Sequence, residues 1–413
     1  MNTTIAVMNK HAVALASDSF YTLTLVSEES EDTYKTFDTA NKLFKLSDTA
    51  PVGIVQFDSP YLMDVPLEVI LSMYKDHLGK TRFDRLEEYV TDFIRFLEGH
   101  SVLFPTEVQE SFLRNMISER FERLKWPREA VSTDSGVAST DDPPIPEPLE
   151  SKIDECIKSL SELKPLGGFS ETFVSELLKQ KKQLFDEVAE SVFEKSQLSD
   201  PILGSLRELG GLITTRVLDP SISCGIAFVG YGEEDIFPHL IAFVADVIVD
   251  GRLRYREKLN VKMSRGQTAN VISLGKDDMI RTFFEGVNRH ESNSLIALRE
   301  RVKSLIEDAQ EDTVIGPIEV FVETLDSLIN ETQTRSQSMF NVIGSFPQAD
   351  LAKTAQELVK LECLWQRLSE EQEVSGGPVD VALITKGGFA WVKHETIAEF
   401  VSNRPGTPES LDT

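Results

Sequence analysis

The sequence predicts an α+β protein in which antiparallel sheets pack together and are covered by helices. Three observations lead there. Short runs that are apolar or alternate with period two open the chain, recur from Ile222 to Gly275, and return at Val379. Between them lie long stretches with apolar residues at three- and four-residue intervals, the helical period. At 413 residues the chain is long enough for one large core or two ordinary ones.

From Thr3 to Leu15, TTIAV, a turn at Asn9-Lys10-His11 and AVALA read as a hairpin or two consecutive short strands. Lys42 to Leu46 and Pro51 to Phe57 are further strand candidates, so the amino end is a β-meander. After Pro66, a residue suited to a helix start, two helices are expected over roughly 66–100 and a third over 105–125. STDSGVASTDDPPIPEP is too polar and Pro-rich to pack, so 128–148 is expected to be a disordered loop. Helical periodicity resumes at 149–164, 170–197 and 201–210. A second β-rich region follows: SISCGIAFVGYG, HLIAFVADVIV, a turn at Asp250-Gly251, RLRYREKL and ANVISLG. More helix is expected at DDMIRTFFEGV, 293–308, 315–332 and about 350–371, then a last strand pair, VDVALITKGGFAWVKH, turning at Gly387-Gly388. The division is one discontinuous core of 1–66, 216–290 and 374–400, a helical insertion over 67–215, a helical segment over 291–373, and a flexible tail at 401–413.

Composition narrows the function. A net charge of −26 disfavours any role that depends on neutralising phosphates, so no nucleic-acid partner is expected. No apolar run approaches the ~20 residues of a membrane helix, and the opening MNTTIAVMNKHA lacks the features of a secretory signal. A soluble, cytoplasmic protein with no membrane association is the expectation. The three cysteines, Cys156, Cys224 and Cys363, are too scattered for a disulfide framework or a CxxC site, and the six histidines show no ligand spacing. No metal and no cofactor are expected. The glycine pairs Gly167-Gly168 and Gly210-Gly211 lack the spacing of a phosphate-binding loop.

With these elements in order, the chain resembles the proteasome β-subunit family, bacterial proteasome-like proteins included, within the N-terminal-nucleophile hydrolases. TTIAVMNKHAVALASDS is similar to that family's Thr-Thr opening, hairpin and second strand, whose aspartate falls at Asp18. NKLFKL places Lys42 at the family's active-site lysine, and FVGYG, an acidic loop, Pro238 and Asp250-Gly251 follow in order. SGGPVDVALITKGGFAWV resembles the last strand pair. The resemblance implies a sandwich of two antiparallel sheets between helical layers, with large helical insertions that the family does not account for.

It also implies chemistry. Amide hydrolysis in such a fold needs a hydroxyl nucleophile, a base to take its proton, and donors for the oxyanion. A threonine at a free amino terminus supplies the first two, because an α-amino group titrates near ~8. By resemblance Thr3 is the nucleophile, Lys42 keeps the amine basic and stabilises the alkoxide, Asp18 holds both, and Ser375 is a supporting hydroxyl. The backbone N–H of Asp58 stands where the family has its oxyanion glycine. Each residue also has a plain structural meaning: strand threonines, a buried ion pair, a Ser-Gly-Gly turn. Met1-Asn2 precedes Thr3, Asp58 brings a carboxylate beside a developing negative charge, and Gln372 stands where the family has a second acid. Two functions follow. One is a threonine peptidase or amidohydrolase acting on a peptide or amide substrate in a homo-oligomer. The other is a catalytically inactive scaffold that binds a protein partner through its helical insertion.

Overall fold

A computed structural model of the chain describes residues 3–25, 33–125, 148–195, 198–287, 289–308, 312–369 and 375–393. The expected loop at 128–148 and the tail at 401–413 lie almost wholly outside them. The chain opens with the hairpin β1 (Thr3–Asn9) and β2 (Ala12–Asp18). Asn9 builds its turn: the side-chain Oδ1 accepts the backbone N–H groups of His11 and Ala12. A second hairpin, β3 (Tyr21–Leu25) and β4 (Thr33–Phe37), precedes β5 (Leu43–Lys45), β6 (Val52–Asp58) and the two-residue strands β7 (Tyr61–Leu62) and β8 (Val65–Pro66).

Helices follow: α1 (Leu67–Leu78), α2 (Leu86–Gly99), α3 (Thr106–Lys125), α4 (Leu149–Ser161), α5 (Glu171–Gln180), α6 (Lys182–Val192) and α7 (Asp200–Arg216). The stretch expected as helix over 170–197 is split, because Lys181 leaves the helical region at φ −99° and ψ 14°. Then come β9 (Cys224–Gly230), β10 (His239–Val249), β11 (Arg252–Lys262), β12 (Ala269–Gly275), α8 (Asp278–Glu285), α9 (Arg289–Asp308), α10 (Asp312–Ile343), α11 (Gln348–Leu368), β13 (Val379–Thr385) and β14 (Gly388–Lys393). Helix α10 runs past its expected end at 332, since the polar NETQTRSQS carries no apolar period yet continues as helix until Gly344 and Pro347 stop it.

Two five-stranded sheets form the centre, with strand orders β12-β1-β2-β13-β14 and β11-β10-β9-β6-β5 and antiparallel pairing throughout. Alternation sorts each strand of the first sheet into two faces. Ala6 and Met8 of β1, Val13 and Leu15 of β2, and Ala382 and Ile384 of β13 meet Val55, Phe57, Ala227, Val229, Leu240 and Ala242 of the second sheet. Ile5, Val7, Ala14, Ala16 and Val381 face the other way and pack under α8, α10 and α11. The outer face of the second sheet, with Val52, Ile54, Ile226, Phe228 and Phe243, is covered by α1 to α7. The layers therefore run helix, sheet, sheet, helix.

A buried ion pair ties the first helical layer to its sheet. Arg254 of β11 meets Asp246 of β10 at 3.2 Å, both side chains fully buried. The guanidinium also donates to the Val217 carbonyl and contacts Met116 Sδ, while Asp246 accepts the N–H groups of Asp219 and Val247. Among the described residues, no helix is long and apolar enough to cross a membrane.

Candidate active site

β1 begins, β2 ends and β13 begins at the same end of the first sheet, because Thr4 pairs with Ser17 and Val379 with Asp18. This register brings Thr3, Asp18 and the Ser375-Gly376-Gly377 segment together although Thr3 and Ser375 lie 372 positions apart in sequence. Lys42 arrives from the residue before β5, in the second sheet. Its carbonyl accepts from Gln56 N–H at 2.8 Å, which fixes the chain from which its side chain extends.

The four side chains form one connected group. The backbone N–H of Thr3 donates to Asp18 Oδ1 at 3.0 Å, and Lys42 Nζ donates to the same oxygen at 2.7 Å. Asp18 Oδ2 accepts the Gly376 N–H at 3.0 Å, and Thr3 Oγ1 lies 2.7 Å from Ser375 Oγ. All are closed to solvent, with Thr3 and Ser375 at 0%, Asp18 at 1% and Lys42 at 4% exposed. Burial pulls the Lys42 pKa below its ordinary value, and the Asp18 charge opposes that shift. The cluster thus holds an ammonium whose proton is less firmly bound than in water, beside a hydroxyl in hydrogen-bond contact with a second hydroxyl.

Lys42 also reaches the wall of a cavity of about 1000 Å³. Aromatic residues Phe20, Tyr21 and Tyr61 line part of it, with Lys42, Arg256 and Lys258 set against Asp58, Glu68 and Glu257. Asp58 is therefore on the same cavity as Lys42, but among the described residues no hydrogen bond joins it to the Thr3 group. Its backbone has φ 59°, in the left-handed region that glycine favours, and its side chain is exposed. Gln372 and its neighbours Glu371 and Glu373 lie outside the described residues.

Sequence reasoning passed over a second polar row beside the first. Thr4 Oγ1 and Ser17 Oγ are 2.6 Å apart, and Asp380, directly paired with Ser17, is 3% exposed. The signal was present in VDVALI, where one aspartate interrupts an apolar strand. Among the described residues no group of three or more His, Cys, Asp or Glu side chains could hold a metal ion. No family model matches the sequence, and no curated protein matches it.

Proposed function

We propose that the chain is an N-terminal-nucleophile hydrolase of the proteasome-like kind, cleaving an amide bond through Thr3. The observation that carries this reading is the sharing of Asp18 Oδ1: one carboxylate oxygen holds both the Thr3 nitrogen and the Lys42 ammonium, with Thr3 Oγ1 against Ser375. An ordinary strand end has no need of a buried lysine, aspartate and two hydroxyls in one group.

In this reading the Asn2–Thr3 bond is first cut, and the Thr3 nitrogen becomes a primary amine already placed at Asp18. The amine takes the proton of Thr3 Oγ1 directly or through Ser375, and Oγ1 attacks the substrate carbonyl. Lys42 stabilises the negative charge on Oγ1, and backbone N–H groups at the cavity side, that of Asp58 among them, receive the oxyanion. The C–N bond breaks, the leaving amine takes the proton from the Thr3 ammonium, and water then hydrolyses the ester to release the acid and restore Thr3. The substrate is a peptide or small amide that fills the cavity beside Lys42. A cytoplasmic homo-oligomer belongs to the same proposal.

The test is mass spectrometry of the purified protein with turnover of peptide amides. A mature chain that begins at Thr3, with processing and hydrolysis both lost in Thr3→Ala, is the expected result; a chain that keeps Met1-Asn2, or hydrolysis unchanged in Thr3→Ala, overturns it.

A second reading is a non-catalytic scaffold that binds a partner protein through its helical layer. The complete burial of Thr3 and the exposed carboxylate of Asp58 on the cavity favour it. It expects Thr3→Ala to leave every cellular phenotype intact, whereas loss of residues 150–200 does not.

A further inference from the structure

Thr4, Ser17 and Asp380 hold directly paired positions on β1, β2 and β13. Their side chains therefore stand in one row on one face of the sheet. That face looks toward the second sheet: two positions further along the same strands stand Ala6, Leu15 and Ala382, all in the core between the sheets. The row is polar yet closed, with Thr4 at 0%, Ser17 at 1% and Asp380 at 3% exposed. A carboxylate at the end of an apolar core is destabilising unless a cation or hydrogen-bond donors offset it.

Lys42 extends from the second sheet, toward which that face looks, and its ammonium feels the Asp380 charge. Asp380 acts on the Lys42 ammonium in the same direction as Asp18, favouring its charged form against burial; Cys363 of α11 is the remaining titratable group facing it. Asp18 and Asp380 sit on adjacent paired strands, one position apart in register, so their carboxylates lie on opposite faces of the sheet end. We propose that Asp380 is a positioning residue of the Thr3 cluster, holding the Lys42 ammonium from the inter-sheet side while Asp18 holds it by direct hydrogen bond. One buried cation then serves two carboxylates.

The kinetic consequence rests on the hydrolase reading. Two carboxylates against one ammonium leave the cluster one positive charge short. The amine released at Thr3, bound to Asp18 Oδ1, supplies that charge when protonated. Asp380 therefore raises the pH at which the amine gives up its proton and becomes a base. Removing Asp380's charge makes the amine basic at lower pH, and the rising limb of hydrolysis against pH moves down with it.

The experiment is an NMR titration of the full-length chain carrying ¹⁵N-labelled lysine side chains, with the Lys42 signal assigned by its loss in Lys42→Arg. Asp380→Asn is expected to lower the Lys42 midpoint. If Asp380→Asn does not fold, Asp380→Ser is titrated in its place with the same expectation. An unchanged Lys42 midpoint in a variant that melts like wild type overturns the inference. This readout needs no turnover, so it separates the two claims. A shifted Lys42 midpoint in a chain that keeps Asn2 supports Asp380's place at Lys42 and sinks the hydrolase reading. A mature, active enzyme with an unmoved midpoint does the reverse. Where hydrolysis is seen, Asp380→Asn is expected to move its rising limb to lower pH, and a limb that stays in place overturns the kinetic consequence.

Discussion

The Lys42–Asp18 and Arg254–Asp246 pairs are alike in burial and unlike in company. Both bring a cation and a carboxylate out of water, and both carboxylates accept backbone N–H groups. Arg254 directs its remaining donors to the Val217 carbonyl and to Met116, and its partners belong to the seam between α3, the segment after α7, and the sheet. Lys42 instead stands between a cavity and a pair of hydroxyls in mutual contact. Burial of an ion pair is therefore no mark of chemistry by itself. What distinguishes the Lys42 pair is that its lysine lines a cavity while its carboxylate holds the nitrogen of Thr3, whose hydroxyl meets a second hydroxyl.

Variants that treat the two pairs alike sharpen the contrast. The largest expected effect is on turnover: Thr3→Ala removes processing and hydrolysis by several orders of magnitude, measured by mass and by peptide-amide turnover. Its effect on unfolding in urea is about 1–3 kcal/mol, because a buried methyl and a buried hydroxyl are both lost and Ser375 Oγ loses its partner. Next in size, Arg254→Met strands the Asp246 carboxylate and lowers the free energy of unfolding by about 3–5 kcal/mol, read from the urea midpoint. Asp246→Leu added to Arg254→Met restores most of that loss, since a packed apolar pair needs no charge balance. Processing at Thr3 is expected to persist in the double variant.

Lys42 yields a pH dependence. Its folded pKa lies below 10.5, so between that lowered value and 10.5 the unfolded chain binds the proton that the folded chain has released. The contribution of Lys42 to stability therefore rises with pH across this window. Denaturation at several pH values is expected to show the difference between wild type and Lys42→Met moving in favour of wild type, by up to about 1.4 kcal/mol per pH unit. A difference that falls with rising pH contradicts the lowered pKa. Smallest, Ser375→Ala removes the 2.7 Å contact with Thr3 Oγ1 and costs about 1 kcal/mol in unfolding. Its turnover is expected to fall far less than that of Thr3→Ala, because the amine can still take the proton directly.

Much of this was legible in the sequence where local pattern and tertiary role agree. TTIAV and AVALA read as a hairpin or two consecutive strands, and β1 and β2 are paired and buried along their whole length. Helix α2 follows its period closely, with Leu86, Tyr89, Val90, Phe93, Phe96 and Leu97 on the inner face. The hairpin of β3 and β4 was not foreseen, because its strands flank an acidic stretch and TYKTF offers few apolar residues to set a period. Of the site, Thr3, Asp18, Lys42 and Ser375 were named by resemblance, and in the structure they share hydrogen bonds. Asp380 was not named, since only the register between β2 and β13 places it beside Ser17, and register is a property of pairs of strands rather than of one segment.

Asp58 completes β6 with a backbone turned to φ 59°, a setting in which an L-residue with a side chain is strained by about 1 kcal/mol or more. The peptide N–H of the next residue, Ser59, is held by the Ser223 carbonyl at 3.1 Å, so the main chain there is fixed from outside rather than by the aspartate. The scaffold is thus already shaped for glycine, and an aspartate codon is a single nucleotide from a glycine codon. In evolutionary terms the position is a reversible setting: one mutation adds or removes a charge at the cavity without asking the backbone to move.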